Sequence, residues 1–84
     1  MDNLEMEFQE SVRVFNNMEK SLKEVIFYRV YGLYKQSLFG DNIAVKPYWF
    51  NFRSLNKWKC WKKELGKTKN DAKLEYISIR VLFI

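Results

Sequence analysis

The chain has 84 residues, of which 48% are hydrophobic and 18% aromatic, and a formal net charge of +5. These numbers suit one small domain, residues 1–84, with a core of its own, and they exclude a disordered tail. A single cysteine excludes an internal disulfide, and no apolar run is long enough to span a bilayer.

The acidic start, MDNLEMEF, is unlike a secretory or mitochondrial leader. A soluble cytoplasmic protein is therefore expected. Charge is divided along the chain. Residues 1–24 carry six acids against three bases, and residues 46–73 carry nine bases against two acids. The second segment either faces an anion or is a solvated surface.

Residues 3–18 have helical periodicity, with Leu4, Phe8, Ser11, Val12, Phe15 and Met18 on one stripe. Asp2 or Asn3 can cap this helix, and the early acids oppose its dipole favourably. A polar connection, 16–23, leads to a second helix from Glu24 to Phe39, stopped by Gly40 in the left-handed conformation. Ile26, Val30 and Leu33 form an aliphatic stripe on it. Phe27, Tyr31, Tyr34, Lys35 and Leu38 form another stripe, of rings, phenols and an ammonium. The second stripe suits a ligand with a flat ring and an anion, and it equally suits a half-buried surface. Arg29, Gly32 and Gln36 take the remaining arc.

Residues 40–52 read as a long ordered loop, because Pro47 forbids a continuous helix. Its Tyr48, Trp49, Phe50 and Phe52 are expected to be buried, closing one end of the core. A third helix is expected over 53–65, with Leu55, Trp58, Trp61 and Leu65 inward and Gly66 as its stop. Thr68 and Asp71 resemble a capping box. They open a fourth helix with Ala72, Tyr76, Ile79 and Phe83 on one face. The β-branched end, 76–84, would suit a strand by propensity. A strand without a partner leaves an open edge, so helix is preferred. The expectation is an all-α bundle of four helices with a long ordered loop between the second and third.

Taken together, YGLYKQ at 31–36, Gly40-Asp41, Pro47, Phe52, Lys57-Trp58, Trp61, Gly66, Asp71-Ala72 and Tyr76-Ile77 resemble the acyl-CoA-binding protein family. The likeness covers nearly the whole chain, without insertion or deletion from Tyr31 to Ile77. It implies an up-down-down-up bundle that binds long-chain acyl-CoA as a carrier and pool-former, with no catalysis, cofactor or metal. By the resemblance, Tyr31 and Lys35 hold the phosphorylated ribose and Tyr34 lies near the adenine. Lys57 serves the 3′-phosphate, and Tyr76 completes the head-group site. Arg53 stands where the family has a lysine near the ligand, and Trp58 where a ring packs on the acyl chain. Gly32 and Leu33 join the set as part of the same motif, although close helix packing is the simpler account of Gly32. The chain departs from the family at Asn16, Tyr48, Asn51, Ser54-Leu55 and the apolar end Val81-Leu82-Phe83-Ile84. That end is a candidate contact surface for a subunit, a membrane in transient contact, or the ligand; otherwise a monomer is expected.

Simpler readings stand beside these. Lys35 and Lys57 could be solvated, the tyrosines could be core, and Cys60 is structural unless its thiol is reactive. No histidine and no Gly-rich phosphate loop are present, which removes the common enzyme constellations. The rival reading is a basic module for single-stranded nucleic acid, because lysines alternate with Trp and Tyr between 46 and 76. The family spacing favours acyl-CoA and no nucleic-acid partner.

Overall fold

The computed structural model describes residues 2–83, with side chains to Leu82. Four helices carry the fold, in up-down-down-up order: α1 (Asn3–Met18), α2 (Glu24–Phe39), α3 (Phe52–Lys62) and α4 (Lys69–Phe83). One 3-10 turn, Glu19–Ser21, follows α1. There is no strand among the described residues, and the β-branched segment is helix through Phe83.

Each boundary has a local cause. The Asp2 carboxylate accepts from the Glu5 amide at 2.7 Å and caps α1. Gly40, at φ 76° and ψ −148°, ends α2. Its φ is positive as expected, but its ψ lies outside the left-handed helical well. The Asp71 amide donates to Thr68 Oγ1 at 3.0 Å, which opens α4.

Helix α2 is the centre: it packs on α3 and on α4, and α1 packs on α4. The buried core is Phe8, Phe15, Val30, Leu33, Ala72 and Tyr76, with Val12, Leu22, Ile26, Tyr34, Ile77 and Ile79 against it. The Tyr76 ring lies 5.2 Å from that of Phe8 and 5.1 Å from that of Phe15. The arc of α2 assigned to neither stripe faces α3. A Cβ on Gly32 would collide with the Cys60 carbonyl, so the glycine lets two backbones meet. Close packing is the correct account of Gly32.

Helices α2 and α3 run parallel, so the chain must return along a helix length between them. Sixteen residues of α2 span about 24 Å, and residues 40–51 reach at most about 40 Å. The long loop is thus a requirement of the topology.

Two expectations are corrected. Tyr48, Trp49, Phe50 and Phe52 are exposed, not buried. The loop is held by polar bonds instead: Trp61 Nε1 donates to the Gly40 carbonyl, and Trp58 Nε1 to that of Ala44, both at 2.8 Å. Asn42 is buried, and its Nδ2 donates to the Trp58 carbonyl at 3.1 Å. With those bonds made, the rings need not enter the core to fix the loop. Second, α3 ends at Lys62, a turn carries the chain to Gly66, and Leu65 is exposed. The inward face expected of α4 holds at Ala72, Tyr76 and Ile79. The Phe83 side chain and Ile84 lie outside the described residues, while Val81 and Leu82 are exposed.

Candidate functional site

The aromatic stripe of α2 opens onto a cleft of about 210 Å³ between the helices. Phe27, Val30, Tyr31 and Tyr34 come from α2, Lys57 from α3 and Tyr76 from α4. Phe15, Asn16, Glu19 and Leu22 close it from the end of α1 and the following turn. A second hollow shares Glu19, Leu22 and Phe27 with it and continues over Tyr28 and Arg53. Through these shared residues the two hollows adjoin.

The polar groups of the cleft are three phenols and the Lys57 ammonium, with the Asn16 amide and the Glu19 carboxylate at the α1 end. Lys57 Nζ lies 5.1 Å from the Tyr31 ring centre and 5.9 Å from that of Phe27. Lys35 Nζ approaches Tyr31 at 5.9 Å, and also Phe39 at 4.8 Å and Trp61 at 5.4 Å. Two cations therefore converge on one phenol, and neither has a carboxylate partner among the described residues. Burial pushes the Tyr31 phenol above its ordinary pKa. It does the same to Tyr76, more strongly, with Tyr34 adding to the effect. Both hydroxyls stay protonated at neutral pH and can donate to an anion. Such an arrangement can bind an anion, and no cluster of metal ligands is found among the described residues.

The structure brings Tyr31, Tyr34, Lys57 and Tyr76 together, sets Lys35 beside Tyr31, and puts Arg53 on the adjoining hollow. It does not bring Gly32, Leu33 or Trp58 to the cleft. Gly32 meets the α3 backbone and Leu33 is fully buried in the core. Trp58 faces the loop, with the ammonium groups of Lys46 and Lys62 each 5.8 Å from its ring centre. Phe15, Glu19, Leu22 and Val30 were not expected in the site. Glu19 and Leu22 belong to the turn after α1, which has no periodicity to orient them, while Phe15 and Val30 sit on apolar helix stripes that read as core. Asn16, which the resemblance puts where the family has a basic residue flanking the ligand, lines the cleft.

Comparisons with known proteins agree with this architecture. The family model described as "Acyl CoA binding protein" matches residues 5–80. The chain belongs to the acyl-CoA-binding protein family. It is 37% identical over 71 residues to acyl-CoA-binding protein 2 of Saccharomyces pastorianus, covering 84% of this chain and 82% of that one. It is 35% identical over 72 residues to the acyl-CoA-binding protein of Saccharomyces cerevisiae, covering 86% and 83%. Among solved structures, acyl-CoA-binding protein 2 of Oryza sativa superposes with a TM-score of 0.89 at 30% identity, over 95% of this chain and 89% of that chain.

Proposed function

We propose that this chain binds long-chain fatty acyl-CoA esters as a non-catalytic carrier and pool-former. The supporting observation is the convergence of Tyr31, Tyr34, Lys57 and Tyr76 on one cleft, with Lys35 and Arg53 at its margins. Coenzyme A carries a 3′-phosphate, a diphosphate and an adenine. The phosphates need cations and hydroxyl donors, and the adenine needs a ring face. In this reading Lys35, Lys57 and the Tyr31 hydroxyl take the 3′-phosphate, Tyr34 lies by the adenine, and Tyr76 completes the wall. The acyl chain leaves along the hollow floored by Leu22, Phe27 and Tyr28, past Arg53.

Magnitudes divide the labour between head and tail. A buried methylene contributes about 0.8 kcal/mol, so a chain of roughly sixteen carbons offers on the order of 10 kcal/mol gross, less the cost of ordering it. Partly exposed ion pairs contribute about 1 kcal/mol or less each. The acyl chain supplies most of the affinity, and the head group supplies orientation and selectivity.

The proposal includes a single acyl-CoA-binding domain over 1–84, a monomer, no cofactor beyond the ligand, and a cytoplasmic site of action. No helix among the described residues is long and apolar enough to cross a membrane, which is consistent with that location.

Titrating palmitoyl-CoA, free CoA and a single-stranded oligonucleotide while recording tryptophan fluorescence and heat tests the reading. Palmitoyl-CoA should saturate, free CoA should bind far more weakly, and the oligonucleotide should do nothing. Tyr31→Phe should keep the fold and lose roughly tenfold in affinity, the worth of one hydroxyl bond to a charged group. Absence of a saturable acyl-CoA signal would refute the function, and an unchanged Tyr31→Phe affinity would refute the assigned role of that hydroxyl.

A further inference from the structure

The loop between α2 and α3 displays more apolar surface than holding its position requires. Ile43 is 95% exposed, Val45 92%, Tyr48 and Trp49 75% each, Phe50 62% and Phe52 69%. These side chains line neither the cleft nor the adjoining hollow. They are also organised. Tyr48 and Phe50 stack at 5.5 Å with their planes 3° apart, and Trp49 meets Phe50 edge-on at 5.8 Å. The bonds of Trp58, Trp61 and Asn42 already fix the loop from beneath. The outward rings are therefore free to serve a surface beyond the protein.

The charge around them is one-sided. Residues 42–63 contain six bases and no acid. None of the six joins an ion pair among the described residues; the pairs that form use Arg13, Arg29, Lys67, Lys73 and Arg80. Lys46 and Lys62 stand over the Trp58 ring, directly under the loop, and Arg53 follows Phe52.

From this surface we infer that residues 43–52, the loop and the first residue of α3, dock the protein on an anionic lipid bilayer, with their rings and aliphatic side chains in the headgroup layer and the surrounding basic side chains on acidic headgroups. Tyrosine and tryptophan favour that interface, and long basic side chains reach headgroups while their stems lie on apolar matter. A nucleic acid would match the charge and the rings. It has no use for Ile43 and Val45, the two most exposed of the six, whereas lipid does. Docking is peripheral and reversible, and does not depend on the acyl-CoA reading; each can fail without the other.

The test is co-sedimentation with phosphatidylcholine vesicles, with and without phosphatidylserine, at low and high salt. Binding should require phosphatidylserine, weaken with salt, and fall roughly tenfold or more when Trp49→Ser is combined with Phe50→Ser. The pair Ile43→Ser with Val45→Ser should weaken it too, while Leu82→Ser, on the exposed end of α4, should leave it intact. Circular dichroism melts confirm that each variant is folded. Failure to bind phosphatidylserine vesicles, full binding by both loop pairs, loss through Leu82→Ser alone, or capture of an oligonucleotide in place of vesicles would each overturn the proposal.

Discussion

Gly32 and Tyr31 are neighbours in the same motif and do unrelated work. Gly32 sits where helix α2 touches α3. A methyl group there meets the Cys60 carbonyl and comes within 3.2 Å of the Trp61 nitrogen. Alanine favours helix by about 1 kcal/mol over glycine, but overpacking against backbone costs about 1–3 kcal/mol. Gly32→Ala should therefore lower stability in urea unfolding, and a rise in stability would contradict the packing account. Tyr31, one residue earlier, faces the cleft between two ammonium groups. The motif was legible in the sequence as a unit, and helical spacing placed Tyr31 and Tyr34 on one face. Separating the packing residues Gly32 and Leu33 from the cleft residues needed the position of α3, which no local pattern carries.

At the scale of elements, α1 and α2 were legible end to end, because an unbroken apolar period meets a capping Asp2 and a terminating Gly40. Helix α3 was less so. It buries no side chain fully, so the period read from Leu55 to Leu65 overstated its inward face. Its anchoring is partly polar and was invisible to hydropathy. Glu64, just beyond α3, is 2% exposed and paired with Arg29 of α2 and with Lys67, and both of those bases also bind Glu75 of α4. This cluster ties α2, α4 and the turn after α3 at one place. Removing a carboxylate from such a site leaves its partners to water and to Glu75, and because Arg29 is half exposed the cost is discounted below that of a fully buried pair. Glu64→Ala should lower stability by about 1–3 kcal/mol, measured by chemical denaturation. A neutral result would show that the cluster is only decorative. The loop was misread for a related reason: indole N–H bonds to carbonyl oxygens can hold a segment whose aromatic side chains stay outside, and a composition rich in rings does not reveal that.

For the whole molecule, the four-helix order follows from a long loop between parallel helices and from core stripes on α1, α2 and α4. Lys57 and Tyr76 join the cleft only through tertiary packing. In the sequence they were found through family spacing, not through periodicity. The same packing sets the response to alkali. The Tyr76 and Tyr31 phenols are raised above 10.0 by burial, so the unfolded chain releases those protons first as pH rises. Lys67 is raised above 10.5: its desolvation works against this, but the hydrogen bonds to Glu64 and Glu75 prevail. Stability from these groups is complete below about pH 10 and falls as pH climbs past it. Tyr76→Phe should flatten that alkaline decline in a thermal-melt series, and an unaltered slope would contradict the account.

The central claim is the location of the ligand, and amide chemical shifts of isotope-labelled protein during a palmitoyl-CoA titration test it most directly. Shifts should concentrate at Phe27, Tyr31, Tyr34, Lys57 and Tyr76, and reach Tyr28 and Arg53 only when the acyl chain is present. Shifts confined to the opposite groove of α2 and α3, around Val25, Asn56 and Cys60, or no shifts at all, would contradict it.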